Sequence, residues 1–156
     1  MEQGALTVTI FGASGDLTAR KLVPSVYSLD RKGRLPPEVR IVGVARSPFT
    51  DDSFRDKMTR AVREFAGAEW AEESWRSFSR RIHYVAADAA KLGGLAPLKS
   101  RLAELEAGKP GRRLFYLAVT PTLYADIAGQ VAVMNEGVSS PGDLVAETGH
   151  REAVRP

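Results

Sequence analysis

Thr7-Val8-Thr9-Ile10-Phe11 is an apolar, β-branched run that stops at Gly12. Gly15 follows three residues on, and a helix-like pattern begins at Asp16. A strand feeding a tight glycine turn and then a helix confines the chain to folds in which strands and helices alternate. It also sets a helix N-terminus at the end of the first strand. The free N–H groups and the dipole of that terminus favour an anion. A nucleotide phosphate site is therefore expected over residues 12–19.

The rest of the chain keeps the alternation. The spacing predicts a helix over 16–32, with Leu22, Val26 and Leu29 on one face, Val23 and Tyr27 beside them, and Gly33 as its stop. Pro24 lies inside it, where it removes one hydrogen bond and bends the axis. Strands are predicted over 7–11, 40–45 and 82–85. Pro48 and Thr50-Asp51-Asp52 open a second helix, in which Phe54, Met58, Ala61, Val62 and Phe65 recur at helical spacing. A third covers 70–78, with Trp75 and Phe78 turned inward. Leu95, Leu98, Leu102 and Leu105 define a fourth, ended by Gly108 and Pro110. Residues 113–119 form a near-continuous apolar run, as a central parallel strand requires. The last helix runs over 122–134.

This order predicts an α/β fold, an open, doubly wound parallel sheet of the Rossmann-like kind, over residues 1–134. Residues 135–156 are expected to be an irregular tail. In such sheets the ligand sits beyond the carboxyl ends of the strands, so the loops after Phe11, Ala45 and Val119 share one edge.

Those loops carry the unusual residues. Gly12 lets the chain turn sharply, and Gly15, without a Cβ, lets the backbone approach a diphosphate. Ser14 and Thr18 offer hydroxyls to phosphate oxygens. Asp16 is expected to cap the helix through its carboxylate rather than to touch ligand. NAD-binding folds usually end the second strand with an acid on the ribose 2′-hydroxyl. Here the strand ends Val44-Ala45-Arg46-Ser47. A guanidinium suits a 2′-phosphate, so the expected cofactor is NADP. In the third loop, Thr122 can cap the following helix, and Tyr124 reads either as a ligand contact or as core. His83 and His150 are the only histidines, and His83 reads as structural.

Bulk properties narrow the alternatives. The 156 residues are 44% hydrophobic, with no apolar run long enough to span a membrane. The N-terminus shows no basic segment followed by an apolar one, and there are no cysteines for a disulfide framework or thiolate zinc site. A cytoplasmic location is expected. The net charge of +3 is spread along the chain, and the cluster from Arg76 to Arg81 is broken by Ser77, Phe78 and Ser79. Neither nucleic acid nor membrane is an expected partner.

Five segments occur in an order that resembles a known family: Gly12-Ala13-Ser14-Gly15-Asp16-Leu17, Arg20-Lys21-Leu22 with Pro24, Gly33 with Leu35-Pro36, Ile41-Val42-Gly43 with Ala45-Arg46, and Leu114-Phe115-Tyr116-Leu117-Ala118. Over residues 7–134 the chain is similar to the N-terminal cofactor domain of glucose-6-phosphate dehydrogenase. The resemblance implies oxidation of glucose 6-phosphate to the phosphogluconolactone, with hydride passed to NADP. It assigns cofactor binding to Gly12, Ala13, Ser14, Gly15, Asp16, Leu17, Thr18 and Ala19, with Arg46 and Tyr124. Two departures lie inside it. Thr18 stands where the family usually has alanine, and Thr120-Pro121 where a Pro-Pro pair is common.

A third departure follows the last helix, where the family has a strand leading into Glu-Lys-Pro-Phe-Gly. Residues 142–156 show no apolar strand pattern. Yet Thr148 to Pro156 can be encoded ACG GGT CAT CGA GAA GCC GTT CGG CC, which reads Arg-Val-Ile-Glu-Lys-Pro-Phe-Gly one nucleotide on. The expectation is a frame shift between about Asn135 and Gly142, leaving out the motif lysine and the substrate domain with its general-base histidine. Such a chain is expected to hold NADP without turning over glucose 6-phosphate, and to self-associate through an exposed sheet edge. A free-standing NADP sensor is the alternative. A nucleotide-sugar reductase is disfavoured, because no tyrosine has a lysine four residues on.

Overall fold

The computed structural model of the chain describes residues 5–107, 111–135 and 143–146. Five parallel strands form one sheet: β1 (Ala5–Phe11), β2 (Val39–Ala45), β3 (Ile82–Ala86), β4 (Gly111–Leu117) and β5 (Asp143–Ala146), in the order β3-β2-β1-β4-β5. The helices are α1 (Val23–Arg31), α2 (Asp51–Phe65), α3 (Glu72–Ser79), α4 (Ala96–Leu105) and α5 (Tyr124–Met134). The chain goes outward from β1 through β2 to β3, then returns to the other side of β1 with β4. That reversal is the switch point of a doubly wound sheet.

Alternation along the strands builds two cores, one on each face. Val8, Ile10, Val39, Ile41, Ile82 and Tyr84 meet α1, α2 and α3 on one face. Phe11, Val42, Val44, Val85, Phe115 and Leu117 meet α4 and α5 on the other. Trp75 and Phe78 pack inward as expected, edge-on against the fully buried Tyr27 at 5.3 and 5.5 Å between ring centroids. The Tyr27 hydroxyl accepts the N–H of Ala71 and donates to its carbonyl, so the buried phenol is satisfied.

Local chemistry fixes the helix ends. Thr50 caps α2, its hydroxyl accepting the Ser53 N–H at 3.1 Å while the Ser53 hydroxyl accepts the Thr50 N–H at 2.9 Å. Gly33 closes α1 with a φ of +67°, and Arg34 donates to the Leu29 carbonyl at 3.0 Å. Pro24 does not break the helix. A π-helical turn over Thr18–Leu22 precedes it, closed by the Val23 N–H on the Thr18 carbonyl. The wider turn takes up the strain that a proline places on the preceding carbonyls.

Three expectations change. Residues 143–146 are a strand on β4, not irregular, with Leu114 opposite Asp143 and Leu117 opposite Ala146. Backbone pairing in an existing sheet does not need an apolar alternating pattern to announce it. Thr122 makes no side-chain cap for α5; a single 3-10 turn over Pro121–Leu123 intervenes, and the Thr122 hydroxyl lies 3.1 Å from that of Thr120. The segment expected as a helix from Trp70 begins at Glu72. The stop signals Gly108 and Pro110, and the overlapping frame at 148–156, lie outside the described residues.

At Gly43 the sheet and the helix layer pack closely. A Cβ there would stand 2.7 Å from the Phe54 ring and 2.9 Å from the Ala13 Cβ. Replacement of Gly43 by alanine is expected to cost about 1–3 kcal/mol by overpacking. Urea unfolding checks this, and a second change, Phe54→Leu, is expected to recover part of the loss.

Candidate functional site

Gly12 makes the turn after β1 with a φ of +81°, and a Cβ there would lie 2.2 Å from the Ala118 carbonyl oxygen. Only glycine meets both demands. The Gly12 and Ala13 N–H groups both donate to the Val44 carbonyl, at 2.9 and 3.1 Å, which ties the turn to the end of β2. Gly15 donates to the Gly12 carbonyl at 3.0 Å. The amides of Ser14, Asp16 and Leu17 have no backbone acceptor among the described residues. They are the unpaired donors that a helix start leaves over.

A cleft of about 780 Å³ opens at this turn. It is walled by Gly12 and Ser14 after β1, Ala45, Arg46 and Ser47 after β2, Ala87 to Ala90 after β3, and Val119, Leu123 and Ile127 after β4. Four parallel strands thus contribute their carboxyl ends, as the fold rule requires. The volume lies within the range of ligand clefts. Arg46 is exposed, and its guanidinium has no protein partner among the described residues.

Of the ten residues singled out, the structure brings Gly12, Ser14 and Arg46 into the lining and sets Gly15, Asp16 and Leu17 at the adjoining helix start. Ala13 is buried in the core, with its amide already committed. Ala19 packs against the same core. Thr18 corrects an expectation: it is fully buried, and its hydroxyl points to the Gly12 carbonyl at 3.5 Å rather than outward. Asp16 corrects another, since its carboxylate pairs with Arg20 at 3.1 Å on the surface. Tyr124 opens α5 and packs against the second core beside the cleft, outside its lining.

Three supports escape the sequence reading. Lys57 donates from α2 to the Ser14 carbonyl at 2.7 Å. The Tyr84 hydroxyl sits 3.1 Å from the Ala45 carbonyl and 2.5 Å from that of Ser47, gripping the loop that carries Arg46. Burial pushes the Tyr84 phenol above its ordinary pKa, so it stays a donor. The loop Ala87-Asp88-Ala89-Ala90 is the third; Asp88 accepts the Ala90 N–H at 3.2 Å, and its small neighbours leave a flat wall. Its place follows from β3 lying parallel beside β2, a consequence of the sheet order rather than of any motif.

The Asp51 carboxylate gathers the elements behind this wall. It accepts the Tyr84 N–H at 2.8 Å and the Arg101 guanidinium at 2.6 Å, and stands 3.7 Å from His83 Nδ1. His83 therefore has an acidic neighbour that its sequence position does not suggest, yet it lines no part of the cleft.

These features match a family. The model of "Glucose-6-phosphate dehydrogenase, NAD binding domain" covers residues 9–148. The chain belongs to the glucose-6-phosphate dehydrogenase family. The glucose-6-phosphate 1-dehydrogenase of Chlamydia muridarum is 39% identical over 123 residues, 77% of this chain and 24% of that protein. That of Leuconostoc mesenteroides is 35% identical over 151 residues, 94% of this chain and 28% of that protein. A solved glucose-6-phosphate dehydrogenase in complex with its substrate glucose-6-phosphate matches with a TM-score of 0.76 and 30% identity, over 92% of this chain and 30% of that one. The enzyme from Mycobacterium avium matches at 0.74. The chain spans about a quarter of the length of the curated relatives it matches. The family match runs past residue 134, where the resemblance read from sequence stops, and takes in β5.

His83 makes the fold sensitive to acid. Burial, and the Arg55 and Arg101 charges, lower its pKa below the ordinary 6.5, with Asp51 opposing. The unfolded chain then takes up the proton first, so stability falls as the pH drops through about 6.5 and below. Thermal unfolding followed from pH 7.5 to 5.5 is expected to show this loss, and His83→Gln to reduce it.

Proposed function

We propose that this chain is an NADP-holding domain, serving a reaction in which hydride passes from glucose 6-phosphate to the nicotinamide. The observation that carries the cofactor is the pairing of the unsatisfied amides at the first helix start with an unpartnered Arg46 across the same cleft. The pyrophosphate takes the amides of Asp16 and Leu17 with the Ser14 hydroxyl. The adenine lies along Ala87 to Ala90, and Arg46 donates paired charge-assisted hydrogen bonds to the 2′-phosphate. Gly15 leaves room for the approach. Tyr124 borders the nicotinamide end.

The nicotinamide supplies hydride acceptance when bound; the residues of this chain bind, orient and exclude water. Among the described residues no histidine or lysine lines the cleft to take a hydroxyl proton from a sugar. On this reading the chain alone binds the dinucleotide and does not turn over glucose 6-phosphate. Measured reduction of NADP by the 156-residue chain with glucose 6-phosphate would contradict this. No described helix is long and apolar enough to cross a membrane. A cytoplasmic place fits the name of an Arabidopsis thaliana relative, "Glucose-6-phosphate 1-dehydrogenase 5, cytoplasmic". Self-association through a sheet edge belongs to the same reading, the outer strands being β3 and β5.

Thermal stabilisation tests the cofactor. NADP is expected to raise the melting temperature more than NAD at equal concentration. Arg46→Ala is expected to weaken NADP about tenfold to a hundredfold, the worth of a charged hydrogen-bonded pair, and to leave NAD almost unchanged. Equal stabilisation of the wild-type chain by the two dinucleotides would remove the role given to Arg46.

A further inference from the structure

We propose that Lys57 supplies a second positive charge to the 2′-phosphate and so helps to set the preference for the phosphorylated dinucleotide; the proposal rests on the reading of Arg46 above. Phe54 and Met58 of α2 are fully buried. Lys57, beside them on the helix, sits half-buried at the edge of that face and reaches along it. Its ammonium stops between the loop after β1 and the loop after β2, which carries Arg46. It donates to the Ser14 carbonyl at 2.7 Å and lies 5.3 Å from the centre of the Phe49 ring. Phe49 is three residues past Arg46 in the same loop, and its ring is packed by Tyr84 and Phe54 at 5.4 and 6.1 Å. The cation is thus held in place by both loops at once.

Its hydrogen-bonding capacity is not used up. An ammonium has three protons, and one carbonyl takes one of them. Among the described residues no carboxylate stands within ion-pair distance of Lys57, whereas the surface cations Arg20 and Lys32 each have one. A half-buried cation over an aromatic ring, without a counterion, next to a cleft that already carries an exposed guanidinium, is arranged for an anion. Ser14 is both the acceptor for Lys57 and part of the cleft wall, so a monoester on Arg46 lies within the field of both charges. A purely structural Lys57 would only steady the Ser14 carbonyl, and would act equally on any adenine nucleotide.

Two fragments separate these roles. Adenosine 2′,5′-bisphosphate and 5′-AMP share the adenosine and the 5′-phosphate and differ in the 2′-phosphate. By calorimetry on the full chain, Lys57→Met is expected to weaken the bisphosphate about tenfold and 5′-AMP less than about twofold, with Lys57→Arg close to wild type. Equal weakening of both ligands overturns the proposal. If Lys57→Met fails to fold, acetylation of the wild-type chain by acetic anhydride, read by mass spectrometry, decides instead. Lys57 is expected to be protected by the bisphosphate and not by 5′-AMP; equal labelling with both overturns the proposal. Arg46→Ala runs alongside. If it removes the preference for the bisphosphate while Lys57→Met does not, only the role of Lys57 falls. If wild type shows no preference, the reading of Arg46 falls and takes this one with it.

Discussion

The backbone crossing at Gly12 governs everything else in this domain. The turn after β1 passes so close to the end of β4 that a single added carbon would stand 2.2 Å from the Ala118 oxygen. The same residue has a left-handed φ. The crossing aims the start of the first helix at the point where the strand order reverses. It also places the Gly12 and Ala13 amides on the Val44 carbonyl, which ties the first turn to the end of β2. The proposed anion site rests on that geometry, with the Ser14, Asp16 and Leu17 amides left over at the helix start.

In the proposed reading the second loop sets the chemical preference of this site. Arg46 is exposed at the cleft and forms no ion pair among the described residues. Asp51 is held by Arg101 and the Tyr84 amide, and Asp88 by the Ala90 amide. Tyr84 fixes the carbonyls on either side of the arginine. The loop backbone that carries Arg46 into the cleft lining is thus anchored on both sides. A shared set of aromatic rings, Phe49, Phe54 and Tyr84, carries both the loop and the helix that bears Lys57.

Most of the fold is legible in the amino-acid sequence because its signals are local. The β-branched run before Gly12, the heptad-like spacing of Phe54 to Val62 and the glycine at 33 each state an element and its boundary. The strand at 143–146 is not legible, since its pairing depends on an edge that β4 offers and not on its own pattern. At the site, Gly12, Ser14 and Arg46 are readable because strand ends and turns are. Thr18 misleads: a hydroxyl two residues into a helix reads as a phosphate donor, but the helix phase turns it into the core. Lys57 and Tyr84 act across more than thirty residues of sequence, on carbonyls of other loops, and no local pattern marks such contacts.

The central claim is that one cleft at the switch point holds a dinucleotide by backbone amides at one end and a guanidinium at the other. A crystal structure of the chain grown with NADP tests it most directly. The expected result puts the pyrophosphate within hydrogen-bond distance of the Asp16 and Leu17 amides and the 2′-phosphate against Arg46. A dinucleotide bound elsewhere, or a cleft filled by the protein's own side chains, would contradict the account.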